Sequence, residues 1–128
     1  MPEEAHRPLA GLRWRHRVVL LLADHPGDPA LRAQSALLNE ARADLTERDT
    51  LLITATTTVE IDGRASPAPT PDALRRAYAP DSTGFAMALI GKDGGVKLRI
   101  ADPVPARDIL DLIDSMPMRQ REMREGAG

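Results

Sequence analysis

The chain has 128 residues, a formal net charge of −2 and no cysteine. A chain of this length forms one domain and can bury a core without disulfides. The lack of cysteine excludes disulfides, thiolate metal sites and thiol catalysis, so thiol oxidoreductase and peroxidase activities are predicted to be absent. We expect a single domain over residues 1–128, with an ordered core at about 8–124, a short polar N-terminal arm and a C-terminal tail.

The charge and hydropathy patterns argue against nucleic acid and membranes as partners. A slightly negative chain with three aromatic residues lacks the basic, stacking surface typical of nucleic-acid binding. The longest apolar run, residues 18–23, is far shorter than the roughly 20 residues that span a bilayer. Residues 1–17 are polar and charged and do not resemble a signal peptide. These features predict a cytoplasmic protein, or a periplasmic or secreted one if a leader has been removed.

The first half of the chain has the pattern of a strand, a helix and a second strand. Residues 17–23 (RVVLLLA) are continuously apolar after Arg17, as in a strand buried on both faces. Asp28 offers a helix N-cap ahead of Pro29, and leucines at helical spacing predict a helix over 29–46. The apolar, β-branched stretch 49–58 predicts a second strand, which a right-handed crossover makes parallel to the first.

The second half predicts a short helix, a hairpin and a last helix. Residues 59–70, with an Asp-Gly turn and two prolines, are predicted to be a loop that ends at a helix cap on Thr70. Strands at 85–90 and 96–100 flank a hairpin turn at 92–95, since Asp-Gly supplies the positive φ that tight hairpins need. Apolar and charged residues alternate strictly along 96–100, which predicts a strand at the edge of the sheet.

Two prolines bound the last predicted helix. Pro105 opens it, and Pro117 ends or disrupts it. The charged tail that follows is expected to fray at 126–128. The complete order is β-α-β-α-β-β-α, which is that of the thioredoxin fold. The predicted class is therefore α/β, with a four-stranded mixed sheet and helices on both faces.

Three motifs carry a resemblance to a known family. They are LAGLRWRHR at 9–17, LIGKDGGVK at 89–97 and IDSMPMRQREM at 113–123. With them, the chain over about 8–124 resembles the P-DUDES domain, a bacterial domain of unknown function that is regarded as thioredoxin-like and peroxiredoxin-related. Equarin and the sushi-repeat proteins of animals share that domain. The resemblance implies the fold and brings no established activity.

The segment where thioredoxin-like enzymes keep their reactive thiol has no nucleophile in this chain. It corresponds to residues 24–29, between the first strand and the first helix. Asp24, His25 and Asp28 are its candidates for a metal or acid–base site, but three ligands in one short loop also fit a helix cap and a solvated turn. We predict no catalytic residue, no metal and no cofactor.

The predicted topology brings the three motifs to one end of the sheet, opposite the 24–29 segment. One reading is a structural latch, in which Trp14 covers the core together with Met116 or Met118, and exposed ion pairs add about 0–1 kcal/mol each. The other reading is a surface for a protein partner or a small anionic ligand such as phosphate. The candidate binding residues are Trp14, Arg15, Arg17, Lys92, Asp93, Lys97, Met118 and Arg119.

Three classes of function follow from these patterns. The first, which the sequence favours, is a thiol-independent binding or interaction module. The second is an enzyme that uses non-thiol groups, either at Asp24 and His25 or at the charged end of the fold. The third is a homo-oligomer assembled through the last helix or the tail, because Lys97 and Arg99 oppose pairing of the edge strand with a second copy.

Overall fold

The structure is a computed structural model that describes residues 8–127, and its centre is a six-stranded mixed sheet. β1 and β2 are parallel, and every other pair of neighbours is antiparallel. The order across the sheet is β4-β3-β2-β1-β5-β6. The strands are β1 (Arg17–Leu22), β2 (Thr50–Ala55), β3 (Val59–Ile61), β4 (Arg64–Ser66), β5 (Ala86–Ile90) and β6 (Val96–Ile100).

Two of the helices begin at the predicted caps. The Asp28 carboxylate accepts a hydrogen bond from the Leu31 N–H at 3.0 Å, and the Thr70 hydroxyl accepts one from the Ala73 N–H at 3.2 Å. Each cap satisfies a backbone donor that has no partner inside its helix. The helices are α1 (Pro29–Glu40), α2 (Arg42–Glu47), α3 (Pro71–Tyr78), α4 (Ala106–Asp114) and α5 (Pro117–Ala127).

Both faces of the sheet are covered, which explains the continuous apolar run of β1. Val19 and Leu21 point to the layer of α1, α2 and α4. Val18, Leu20 and Leu22 point to the other layer, where α3 lies. All six β1 side chains are buried. The predicted α/β class, with helices on both faces, is therefore confirmed.

The sheet has two more strands than the four predicted, because a hairpin occupies part of the predicted loop at 59–70. Asp62 (φ 50°) and Gly63 (φ 83°) form a two-residue turn between β3 and β4. Positive φ at both positions is the geometry of a tight hairpin. With three residues in each strand, the segment is too short to show a period of two in the sequence.

Two helical predictions also need correction. The helix expected over 29–46 is interrupted at Ala41, whose N–H donates to the Leu38 carbonyl at 3.0 Å. The interruption leaves Leu38, Ala41 and Leu45 all buried against the sheet. The tail expected to fray is helix α5 up to Ala127, and residue 128 lies outside the described residues. The helix that Pro117 was expected to end stops at Asp114, and Pro117 is the first residue of α5, since a proline loses no hydrogen bond at a first helical position.

Candidate functional site

The three sequence motifs contact one another at the end of the sheet where β1 begins. The Trp14 N–H donates to the Lys92 carbonyl at 2.6 Å. Arg17 and Lys92 both bind the carboxylate of Glu122, the first through two hydrogen bonds of 3.1 and 3.0 Å and the second through one of 2.7 Å. We call this end of the sheet the charged pole, made of residues 13–17, 47–49, 92–97 and 114–122.

Three cations of the charged pole are buried and paired. The Arg17 side chain is 1% exposed, and those of Lys92 and Arg119 are each 8% exposed. Lys92 also binds the Asp49 carboxylate at 2.8 Å. The expectation of exposed ion pairs at this end is therefore wrong for these cations. The pairs of Arg17 and Lys92 join elements that are far apart in the sequence, so the shielding of these two cations arises only when the chain folds.

Asp114 is the second carboxylate around which arginines gather. Arg48 donates to its two oxygens at 2.9 and 3.0 Å, and Arg119 donates to one of them at 3.1 Å. The hydrogen bonds from Arg48 outweigh the effect of burial and, with that from Arg119, lower the pKa of Asp114. The same contact raises the pKa of Arg48.

The other two shifted carboxylates of the charged pole also favour the ionised form. Burial raises the pKa of Glu122, but hydrogen bonds from Arg17 and Lys92 more than offset it, so the net shift is downward. Hydrogen bonds from Lys97 and from the Gly95 N–H lower the pKa of Asp93. A general acid at neutral pH needs a raised carboxyl pKa. These carboxylates are therefore suited to ion pairing rather than to proton transfer.

Trp14 lies on the surface, contrary to the latch reading, which placed it over the core. Its side chain is 58% exposed, and its backbone has φ 70°. The hydrogen bond from its N–H to Lys92 holds this left-handed conformation, which is uncommon for a bulky residue. The guanidinium of Arg13 lies over the indole ring, 5.0 Å from the centroid. The turn therefore presents the indole to solvent.

The remaining predicted site residues are distributed around this centre. Arg15 is exposed, and its side chain makes no ion pair with any residue of 8–127. Lys97 pairs with Asp93 at 2.8 Å on the β5–β6 hairpin, and Met118 is half-buried on α5. Sequence reasoning did not select Glu122 or Arg48 as site residues. Their importance comes from long-range contacts, and the one local signal was the place of Glu122 in the third motif.

Residues 8–122 match the model of a family described as a domain of unknown function, DUF4174. The chain belongs to this family. The DUF4174 domain is also similar to thioredoxin peroxidase I of Plasmodium yoelii, with 17% identity and a TM-score of 0.60 over 88% of this chain and 79% of that one. A mutant of peroxiredoxin 6 from Arenicola marina gives 18% identity and a TM-score of 0.53 over 79% of this chain and 61% of that one. These likenesses show a thioredoxin-like, peroxiredoxin-like fold.

The polar residues of the segment after β1 in this DUF4174 domain contact other parts of the protein. Asp28 caps α1, the His25 ring accepts a hydrogen bond from the Gly27 N–H at 2.9 Å, and Asp24 lies 3.9 Å from Arg75. Within residues 8–127, no three histidine, aspartate or glutamate side chains are placed to hold a metal ion together. Nor does this part of the chain contain a helix long and apolar enough to cross a bilayer.

Proposed function

We propose that this DUF4174 domain is a protein-interaction module that works without thiol chemistry, and that it binds its partner through the charged pole with Trp14 as the anchor. The observation that carries the proposal is the exposed indole on a left-handed backbone, fixed by the hydrogen bond to Lys92 and flanked by Arg13. Backbone strain of this kind costs about 1–3 kcal/mol and gathers at functional sites. A cysteine-free chain offers contact rather than electron exchange.

The size of the exposed indole supports its role as an anchor. Aromatic side chains bury about 150–250 Å² each, so the 58% of Trp14 left in water corresponds to about 2–4 kcal/mol of transfer free energy. Tryptophan and arginine are the residue types that most often dominate binding energy at interfaces. Because the indole is already held in place, little conformational entropy is lost when a partner covers it.

The charges around Trp14 favour an acidic partner. Arg15 beside it has no ion pair within residues 8–127, so its guanidinium can pair with a carboxylate on the partner. By contrast, Arg17, Lys92 and Arg119 already bind Glu122, Asp49 and Asp114. A small anion at those buried cations must displace a carboxylate of the protein itself. Because of this internal competition, a protein partner is better supported than a small anionic ligand at the charged pole.

Several finer points stay predictions. The name P-DUDES, the bacterial origin and the link to Equarin rest on the sequence resemblance, and the cytoplasmic location rests on the polar character of residues 1–17. A second copy of the chain is one partner that the same surface would accept, and the mass in solution by light scattering tests it. Catalysis by non-thiol groups has less support, because the shifted carboxylates of the charged pole are held in their ionised form.

Affinity capture on the immobilised full chain tests the proposal. We expect wild type to retain a partner from lysate that Trp14→Gly does not retain. Arg15→Gln should weaken its retention about 2- to 5-fold, more so at low salt. Leu37→Ser, which alters another exposed apolar side chain, is the matched control and should keep the partner. A partner held equally well by Trp14→Gly, or lost equally with Leu37→Ser, would contradict the proposal.

A further inference from the structure

A groove lies beside α1 because the β3–β4 hairpin extends the sheet beyond its helical layer. Thr54, Glu60 and Ala65 are register neighbours on β2, β3 and β4, so they share one face. On this face Leu52 is buried in the core, whereas Thr54 is half-buried and both Glu60 and Ala65 are exposed. The uncovered face and α1 enclose an open cavity of about 490 Å³. Small-molecule sites have volumes of about 300–1,000 Å³.

The walls of this α1 groove carry five uncharged polar side chains. Thr54, Thr56 and Thr58 line the strand side, and Ser35 and Asn39 line the helix side. Each of these groups can donate and accept hydrogen bonds. Within residues 8–127, none of the five side chains has a hydrogen-bond partner in the protein. The groove therefore offers a set of hydroxyl and amide groups that converge on one space and are available to a ligand.

The groove has one arginine that is available to an anion. Arg32 and Arg42 line it together with the carboxylate of Glu60. Arg42 forms an ion pair with Asp62 at 3.7 Å, whereas Arg32 makes no ion pair within residues 8–127. A guanidinium of this kind binds a carboxylate or phosphate through paired hydrogen bonds.

We propose that the α1 groove binds a small organic anion that also carries several hydroxyl groups, of the class of sugar acids and sugar phosphates. Its anionic group would pair with Arg32, and its hydroxyls would bond to the threonines and to Ser35. This site is separate from the charged pole, and it does not depend on the interaction proposed for Trp14. A sugar phosphate fits the volume, and each half of such a ligand matches one set of lining groups.

Amide chemical-shift titration of the full chain tests this site with three probes: 6-phosphogluconate, inorganic phosphate and glucose. We expect saturable shifts at Ser35, Thr54 and Thr56 with 6-phosphogluconate, which should bind about 10-fold more tightly than either partial probe. Arg32→Gln should weaken the binding of 6-phosphogluconate about 10-fold. The isosteric Thr54→Val should reduce the affinity for 6-phosphogluconate more than the affinity for inorganic phosphate.

Arg76→Gln is the matched control, because Arg76 is another exposed helical arginine but lies on α3, away from the groove. It should leave the affinity for 6-phosphogluconate unchanged, and the dispersion of its amide spectrum and that of Arg32→Gln should show that both variants fold. Four results would overturn the proposal: no saturable shifts in the groove, glucose binding as tightly as 6-phosphogluconate, shifts confined to residues 13–17 and 92–97, or equal weakening by Arg76→Gln and Arg32→Gln.

Discussion

The guanidinium of Arg17 and the carboxylate of Glu122 are 105 positions apart in the chain and are joined by two parallel hydrogen bonds. Arg17 opens β1, and Glu122 lies in the middle of α5. Across residues 117–126, Arg119 is the one buried side chain. Helix α5 is therefore attached to the sheet mainly through ion pairs rather than through an apolar face, and Glu122 is the centre of that attachment.

Replacing Glu122 should destabilise the fold. Glu122→Gln removes the charge that Arg17 and Lys92 share and leaves two buried cations short of a partner. We expect a loss of about 1–3 kcal/mol in the free energy of unfolding, measured with urea, because Glu122 is itself partly exposed. Glu125→Gln, an exposed glutamate of the same helix, is the control and should change stability by less than about 0.5 kcal/mol. Equal effects of the two variants would contradict this account.

Acid should weaken the same attachment. The pKa values of Glu122 and Asp114 in the folded protein lie below their ordinary values of 4.5 and 3.8. A lowered carboxyl pKa contributes stability that is present above the ordinary value and is lost as pH falls through the folded value. The free energy of unfolding should therefore decrease as pH is lowered from about 5 to about 3. A Glu122→Gln, Asp114→Asn double variant should show a flatter acid limb, and a limb as steep as that of wild type would refute this assignment.

Trp14 should tolerate replacement by glycine. Glycine adopts φ 70° without backbone strain, whereas alanine at this position remains strained. We expect Trp14→Gly to lie within about 1 kcal/mol of wild type in urea unfolding, and Trp14→Ala to be about 1 kcal/mol less stable than Trp14→Gly. Removing a large buried aromatic side chain costs about 3–5 kcal/mol. A loss of that size in Trp14→Gly would mean that the indole belongs to the core.

The β3–β4 turn gives a prediction for the outer part of the sheet. Gly63 has φ 83°, and a Cβ there would meet only the Arg42 side chain at 4.0 Å. Gly63→Ala should therefore cost about 1 kcal/mol through backbone strain alone. Gly126→Ala in α5 has open space around it and should be neutral or stabilise by up to about 1 kcal/mol. In Gly63→Ala, the loss of amide protection from hydrogen exchange should be confined to β3 and β4. A uniform loss of protection across the sheet would contradict a local effect of the turn.

The sequence allowed prediction of the features that depend on local chemistry. The apolar run of β1, the caps at Asp28 and Thr70 and the hairpin at 92–95 each depend on a few adjacent residues, and all are present. The contact among the three motifs could also be predicted, because the order of elements fixes the direction of each strand and so the end of the sheet at which each motif lies.

The features that were missed depend on context. The Asp62-Gly63 pair signals a hairpin, but its three-residue strands give too little periodicity for the signal to be used. Pro117 predicts the end or the disruption of a helix, although a proline also starts helices. The latch reading places Trp14 over the core, and the positive φ that turns Trp14 to solvent cannot be predicted from residue type. The burial of Arg17 depends on α5, which itself was not predicted.

Tryptophan fluorescence of the free protein measures whether Trp14 is presented to solvent, as a binding anchor must be. Trp14 is the only tryptophan, so the signal reports on this one indole. We expect the folded protein to emit near the wavelength of the urea-unfolded chain and iodide to quench both to a similar extent. Emission well to the blue of the unfolded chain, together with strong protection from iodide, would contradict it.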